Sequence, residues 1–123
     1  MPRTVLLRHD LPDGSAHYDW MIQRPGGPGA TLVAFRVTER IDAGVAAFVA
    51  ERIGDHRAAY LDYEGEVSGG RGRVTRVAEG EVEIVADEPA RFAAAGSIGA
   101  ARGAFEGRIT PDGSWAFVFT RGR

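Results

Sequence analysis

The chain has 123 residues, of which 44% are hydrophobic and 26% are charged, and its formal net charge at pH 7 is −2. This length fits one domain, residues 1–123, that is large enough to bury a hydrophobic core. Cysteine is absent, which excludes disulfides, thiolate metal sites and a cysteine nucleophile. The net charge gives no overall signal for nucleic acid. Apolar runs are too short to span a membrane or to form a signal peptide, so we predict a cytoplasmic protein without a membrane partner.

Short apolar runs separated by turn residues begin near the N-terminus. The segments TVLLRHD (Thr4–Asp10), HYDWMIQ (His17–Gln23) and ATLVAFRV (Ala30–Val37) each predict a strand. The intervening LPDGSA and RPGGPG segments predict turns. The segment Asp42–Gly54 is ambiguous, because its alanine content favours a helix while its neighbours favour a loop leading into a strand. We predict the loop and strand.

The second half of the chain continues the pattern of short strands. AAYLDYEGEV (Ala58–Val67) predicts a strand, and the segments RVTRVA, EVEIVAD, ARFAAA, GAFEGRI and WAFVFT follow. In and just before the Ala58–Val67 strand, four polar or aromatic side chains are expected on one face: His56, Tyr60, Asp62 and Glu64. Such closely spaced strands, with at most one short helix, predict an all-β fold, a small closed or partly closed antiparallel β-barrel of about eight strands. Closure would remove exposed strand edges.

The HYDWMIQ segment carries the first candidate for chemistry. Period-two alternation puts His17 and Asp19 on one face of a strand, close enough to chelate one divalent cation. The third ligand could be His9 or His56. With His56, the order of ligands matches non-haem iron oxygenases of the jelly-roll type; with His9, both His56 and Tyr60 stay free for acid–base or phosphate-binding roles. Spacing leaves this choice open, and histidines that only form surface hydrogen bonds are the simpler alternative.

Two longer motifs are more specific. RHDLPDGSAHYDWMI is followed about 40 residues later by DHRAAYLDYEGEV. Together they resemble the 3′-phosphoesterase domain of bacterial ATP-dependent DNA ligase D, which has a His-Asp pair, a short loop and His-Tyr-Asp-aromatic-Arg. That family later has Asp-His-x-x-x-Tyr leading into an aromatic-Glu-Gly segment. The resemblance covers roughly residues 5–77 and extends loosely to the last hairpin.

The resemblance implies a compact β-barrel with a divalent metal, most simply Mn²⁺, with Zn²⁺ or another divalent ion as alternatives. By it, His9, His17 and Asp19 would hold the metal, while His56 and Tyr60 would contact the phosphate or the leaving group. The family removes a 3′-terminal ribonucleoside and then the 3′-phosphate at primer ends. The implied partners are DNA or RNA/DNA 3′ ends, with a separate ligase or polymerase using the product. We expect a monomer.

Further residues complete the predicted site. Asp10 is a candidate second-shell partner of a histidine, or a strand-end cap. Arg71, Arg73 and Arg76 form a candidate basic patch, although pairing with Glu81 and Glu83 across a hairpin is an alternative. Arg71 and Arg73, with Arg36, are the candidates for substrate binding. All 15 basic residues are arginine. The absence of lysine excludes a covalent lysine–nucleotidyl ligase step.

Two departures from the family pattern bear on activity. Met21 stands where the family has an arginine that would clamp phosphate, and a thioether cannot replace that bidentate donor. The family's longer glycine-rich turn is shortened here to SGGRGR. Two hypotheses follow: a metal-dependent 3′-phosphoesterase-like protein of DNA repair, or a non-catalytic member that binds nucleic-acid ends or a protein.

Overall fold

The structure is a computed structural model that describes residues 2–27 and 29–122. Among these residues, no helix is long and apolar enough to cross a membrane. Two 3₁₀ turns, Ile41–Ala43 and Ala58–Leu61, are the helical elements of this part of the chain. The strands are β1 (Arg3–Asp10), β2 (Ala16–Gln23), β3 (Leu32–Val37), β4 (Ala47–His56), β5 (Gly65–Glu66), β6 (Arg73–Asp87), β7 (Arg91–Ile98), β8 (Ala101–Ile109) and β9 (Trp115–Arg121).

The nine strands form one antiparallel sheet that curls into a partly closed barrel. Neighbouring strands follow the order β1-β2-β3-β4-β9-β8-β7-β6, and β6 pairs back with β1 to complete a ring of eight. The short β5 adds to the other edge of β6. The predicted all-β antiparallel barrel is therefore confirmed, as is the loop that leads from Ile41–Ala43 into β4.

Strand β6 closes the ring because it serves two partners in turn. Its first half pairs with β1 and its second half with β7, and the change occurs around Glu79-Gly80. A Cβ on Gly80 would lie 2.0 Å from the Ser97 carbonyl oxygen, and one on Gly96 would lie 2.1 Å from the Glu81 carbonyl oxygen. The glycines thus permit close approach of two backbones inside a continuous strand. The sequence segments RVTRVA and EVEIVAD are one strand.

The predicted strand Ala58–Val67 is wrong. Residues Ala58–Leu61 form a 3₁₀ turn, and only Gly65–Glu66 pair with β6. Leu61 and Val67 are buried because the segment folds back over the barrel's outer surface, so their spacing reflects tertiary packing and not a strand. Asp62, expected on a shared strand face, instead pairs with Arg3 at 2.8 Å.

The barrel interior is filled mainly by aromatic rings. Trp20 occupies its middle, with ring centroids 5.0 Å from Phe105, 5.6 Å from Phe117 and 5.9 Å from Phe35. All four side chains are almost completely buried. Offset and edge-on contacts of this kind add stability beyond the burial of apolar area.

A second hydrophobic cluster lies on the opposite, outer face of β1–β3, and we call it the outer cluster. The 3₁₀ turn Ala58–Leu61 and the loop before β6 cover it. Strands β1–β3 are therefore buried on both faces, which explains the uninterrupted apolar run of β1. Its buried members are Val5, Leu7, Met21, Leu32, Ala34, Leu61, Val67 and Val74.

A buried hydrogen-bond chain ties β1 to β2 on the interior face. The Thr4 hydroxyl donates to the Met21 carbonyl oxygen at 2.8 Å and accepts from the Trp20 Nε1–H at 2.9 Å. Thr4 and Trp20 are both 0% exposed. Each polar atom of this chain is thus satisfied without water.

We predict that Thr4→Val lowers the free energy of unfolding by about 1–3 kcal/mol, because it leaves the indole N–H of Trp20 buried without an acceptor. Urea unfolding followed by tryptophan fluorescence measures this change. The matched control is Thr75→Val, at an exposed position of β6, which should stay within about 0.5 kcal/mol of the wild type. Equal effects of the two substitutions would contradict the assignment.

Candidate metal centre

The β1–β2 hairpin brings three potential ligands together. His9 and His17 face each other across the two strands, and Asp19 follows two residues later on the same face. The five-residue loop between the strands is closed by a Leu11 N–H to Ser15 carbonyl hydrogen bond of 2.8 Å. This local connection fixes the register that makes the two imidazoles neighbours.

The ligand atoms of these residues converge. His9 Nδ1 lies 3.4 Å from one Asp19 carboxylate oxygen, and His17 Nε2 lies 3.0 Å from the other. One ligand atom from each residue lies within 4.8 Å of those of the other two. The described residues thus contain a group of two imidazole nitrogens and one carboxylate that could hold a metal ion. It is the set that the family resemblance implies, and it includes His9 and not His56, the choice that spacing left open.

Two atoms of this group are buried without a hydrogen-bond partner: His17 Nε2 and Asp19 Oδ1. They lie 3.0 Å from each other, and neither has any other hydrogen-bond partner among the described residues. The side chains of His17 and Asp19 are only 10% and 5% exposed, so water cannot readily compensate. An unsatisfied buried polar atom costs about 1–3 kcal/mol. A cation accepting lone pairs from both atoms would remove that cost, so these residues fit a metal.

The other imidazole is held in a suitable tautomer. The His9 Nε2–H donates to the Arg71 carbonyl oxygen at 2.7 Å, which leaves the Nδ1 lone pair facing Asp19. Metal-binding histidines commonly donate their second N–H to such an oxygen. Gly72 makes this approach feasible: its φ is +97°, and a Cβ there would lie 2.0 Å from the Asp10 carbonyl oxygen.

Electrostatics favour the neutral form of His17. Burial lowers the pKa of His17 below its usual value, and this outweighs the nearby Asp19 carboxylate, which acts in the opposite direction. The positive charge of Arg36 lowers it further. His17 is therefore neutral at pH 7, the form that coordinates metal ions.

An open cavity of about 780 Å³ adjoins the three ligands. Its wall combines two of the candidate metal ligands, His9 and Asp19, with cationic, aromatic and apolar side chains. The third candidate ligand, His17, is not part of the wall.

Six of the nine site residues predicted from the sequence line this cavity, and the other three, His17, Arg73 and Asp10, do not. Arg57 also lines it, and sequence reasoning missed this residue although it directly follows His56. The functional side chains on the wall are His9, Asp19, Met21, Arg36, His56, Arg57, Tyr60 and Arg71.

The register of β3 separates the two ends of the cavity. Arg36 lies opposite Asp19, whereas His56 lies opposite Leu32, four residues along the strand. At about 3.3 Å per residue this is about 13 Å of backbone. His56 is accordingly absent from the ligand group, which joins His17 and Asp19 to His9. The structure thus does not bring His56 to His17 and Asp19, as the oxygenase interpretation requires.

His56 and Tyr60 form the end of the cavity away from the ligands. The His56 Nδ1–H donates to the Gly54 carbonyl oxygen at 2.8 Å, which leaves the Nε2 lone pair free for proton transfer. The Tyr60 ring contacts the imidazole edge-on, with centroids 5.5 Å apart. Sequence reasoning placed both residues at the site, and both line the cavity.

The remaining predicted residues have different positions. Arg36 lines the cavity and its Nη1 is 3.6 Å from a Glu51 carboxylate oxygen, a loose pair. Arg73 is exposed and lines a neighbouring cleft instead of the cavity. Asp10, predicted to orient a histidine or to cap the strand, lies on the opposite face of β1 from His9, and its carboxylate accepts from Arg8 Nε at 3.0 Å.

No protein-family model matches this chain, and a search of curated proteins gives no significant match. The resemblance to the 3′-phosphoesterase domain therefore rests on the two sequence motifs. The metal-ligand group rests independently on the distances and burial described above.

We predict that His9→Ala and His17→Ala each weaken Mn²⁺ binding by about 100-fold or more, since each removes one of three ligands. His56→Ala is the matched control and should bind Mn²⁺ like the wild type, because His56 lies at the other end of the cavity. Titration followed by electron paramagnetic resonance of free Mn²⁺ measures both. Loss of binding in His56→Ala alone would show that the ligand group is assigned wrongly.

Proposed function

We propose that the protein is a divalent-metal-dependent phosphoesterase acting on 3′-phosphate or 3′-ribonucleotide ends of nucleic acid, in the context of DNA repair. The observation that carries this proposal is the pair of buried, unpartnered atoms of His17 and Asp19, which lie beside an arginine-lined cavity. The sequence resemblance supplies the substrate class. The same cavity also presents the guanidinium of Arg36, the imidazole of His56 and the phenol of Tyr60 for the reaction.

His9, His17 and Asp19 would hold the ion. A set of two imidazole nitrogens and one carboxylate oxygen suits Mn²⁺, which the resemblance favours, and also Zn²⁺ or another divalent ion. Bound there, the ion would neutralise phosphate charge and activate water or the leaving oxygen. The Arg71 carbonyl contributes by holding the His9 ring in place.

Arg36 is the best candidate for binding the phosphate itself. It lies directly across from Asp19 on the neighbouring strand, and it lines the cavity. Its contact with Glu51 is long, and its side chain is 43% exposed, so a phosphate can replace Glu51 as its partner at small cost. A guanidinium matches phosphoryl oxygens bidentately. Arg36 would thus supply from β3 the charge that Met21 lacks on β2.

His56 and Tyr60 would act on the bound ester from the other end. His56 Nε2 can accept a proton, or donate one when protonated, and the Tyr60 hydroxyl can hydrogen-bond a phosphoryl oxygen. The product would be a 3′-hydroxyl that a separate ligase or polymerase can use. The protein would act as a cytoplasmic monomer.

We predict that the protein releases phosphate from a 3′-phosphorylated primer–template in the presence of Mn²⁺. Arg36→Gln should lower kcat/KM about 10- to 100-fold, because a charge-assisted contact to the phosphoryl group is lost. Arg108→Gln, on an exposed side chain of β8 outside the cavity, is the matched control and should leave the rate unchanged. A metal-bound wild type without turnover would contradict catalysis.

A second candidate function is binding without catalysis, to nucleic-acid ends or to a protein partner. The observation that favours it is the position of Met21, which is 1% exposed and packs in the outer cluster. The position where the resemblance expects an arginine therefore serves hydrophobic packing in this chain. If Arg36 does not bind the phosphate in place of the arginine that Met21 replaces, the site would bind its ligand without hydrolysing it.

Met21→Arg separates the two candidates. If Arg36 is the clamp, we predict no gain in phosphate release and a loss of about 2–4 kcal/mol in unfolding free energy, because a charge enters the outer cluster. Met21→Leu, which conserves volume, should cost less than about 1.5 kcal/mol. Phosphate release and urea unfolding are measured for both. Activity that appears only in Met21→Arg would favour the non-catalytic alternative.

A further inference from the structure

A second, smaller cleft of about 180 Å³ opens beside the cavity, and we call it the tyrosine cleft. It shares two side chains with the cavity, Arg57 and Tyr60, so the two spaces lie on either side of one wall. The metal-ligand group does not reach it. Its lining residues are Arg57, Ala59, Tyr60, Tyr63, Glu66 and Ser68.

Flat, cationic and polar groups line this cleft. The Tyr60 and Tyr63 rings meet edge-on at a centroid distance of 5.7 Å and an angle of 85°. The Arg57 guanidinium carbon lies 6.0 Å from the Tyr60 ring centroid. Tyr63 is 40% exposed, so part of its ring is accessible from solvent. Its ring therefore offers an aromatic face to a ligand.

Local backbone geometry holds the Tyr63 ring in position. Its hydroxyl donates to the Glu66 carbonyl oxygen. The intervening Gly65 has φ of +137°, and a Cβ there would lie 3.1 Å from that hydroxyl. A larger residue at position 65 would be strained and would displace the ring. The exposed ring is thus fixed before any ligand arrives, which lowers the entropic cost of binding.

We propose that the tyrosine cleft binds an unpaired nucleobase of the terminal dinucleotide of a strand whose 3′-phosphate occupies the cavity. This rests on the proposed function and specifies its substrate. Every base has a π-face, and stacking on tyrosine or on an arginine plane is tolerant of sequence. The Ser68 hydroxyl and the Glu66 carboxylate provide polar groups beside the aromatic face. Continuity through Arg57 and Tyr60 lets one strand occupy both spaces.

The chemistry of the cleft selects among phosphorylated ligands. A small phosphomonoester can fill the cavity but leaves the tyrosine cleft empty. A fully paired blunt end keeps its terminal bases stacked inside the duplex, and extracting one costs a few kcal/mol. The preferred substrate is therefore a single-stranded or frayed 3′ end that carries a phosphate.

The test measures binding of 5′-fluorescein-labelled single strands with a 3′-phosphate, by fluorescence anisotropy in Ca²⁺. A matched strand carries abasic residues at its last two positions. Wild-type protein should bind the strand with bases about 5- to 150-fold more tightly than the abasic strand. Tyr63→Leu should abolish this preference by weakening binding of the first strand only. Tyr63→Phe keeps the aromatic face and should retain the preference.

Controls separate folding, stacking and catalysis. Val118→Ala alters an exposed side chain on β9 and should leave the preference unchanged, and circular dichroism checks that Tyr63→Leu is folded. Equal binding of the two strands by the wild type would overturn the proposal that the tyrosine cleft binds a base. A preference for the strand with bases that persists in folded Tyr63→Leu would overturn it as well. Phosphate release with Mn²⁺ is assayed separately. If release fails while the preference remains, the phosphoesterase proposal falls and base binding stands.

Discussion

The burial of both faces of strands β1–β3 is the constraint on which the rest of the structure depends. One face fills the barrel around Trp20, and the other is covered by the chain segment between β4 and β6. Where the outer cluster ends, the covered face continues with His17 and Asp19, which are polar and almost fully buried. Two of their atoms have no hydrogen-bond partner. Folding thus leaves a desolvated pair of ligand atoms that a cation can satisfy.

The segment that covers the outer cluster also organises the site. It brings the Arg71 carbonyl to the His9 ring, and it places Tyr60 on the cavity wall. Because the same segment contributes Arg57, Tyr60 and Tyr63, it lines both the tyrosine cleft and the part of the cavity away from the metal-ligand group. Packing of buried residues such as Leu61 and Val67 therefore maintains both spaces.

A positive charge lies near the ligand group although Met21, at the position where the resembling family has arginine, is apolar. Met21 continues the outer cluster and forms part of the cavity floor. Arg36 lies one strand away, across from Asp19, and its charge is felt by His17. A guanidinium can serve a cavity from either strand, since its long side chain spans the strand spacing of about 4.8 Å.

The sequence by itself determined the barrel and two of the three candidate ligands, His17 and Asp19, whereas spacing left the third open between His9 and His56. Period-two alternation and the short loop involve only residues that are close in sequence. The β1–β2 hairpin alone therefore places His17 opposite His9, with Asp19 on the same face. Only the tertiary structure decided what covers that face. The segment after β4 has an apolar spacing that a strand and a folded-back 3₁₀ turn both satisfy, and non-local packing selected the turn. The hydrogen bond from His9 to the Arg71 carbonyl oxygen could not be predicted from the sequence either, because every residue type has the same backbone oxygen.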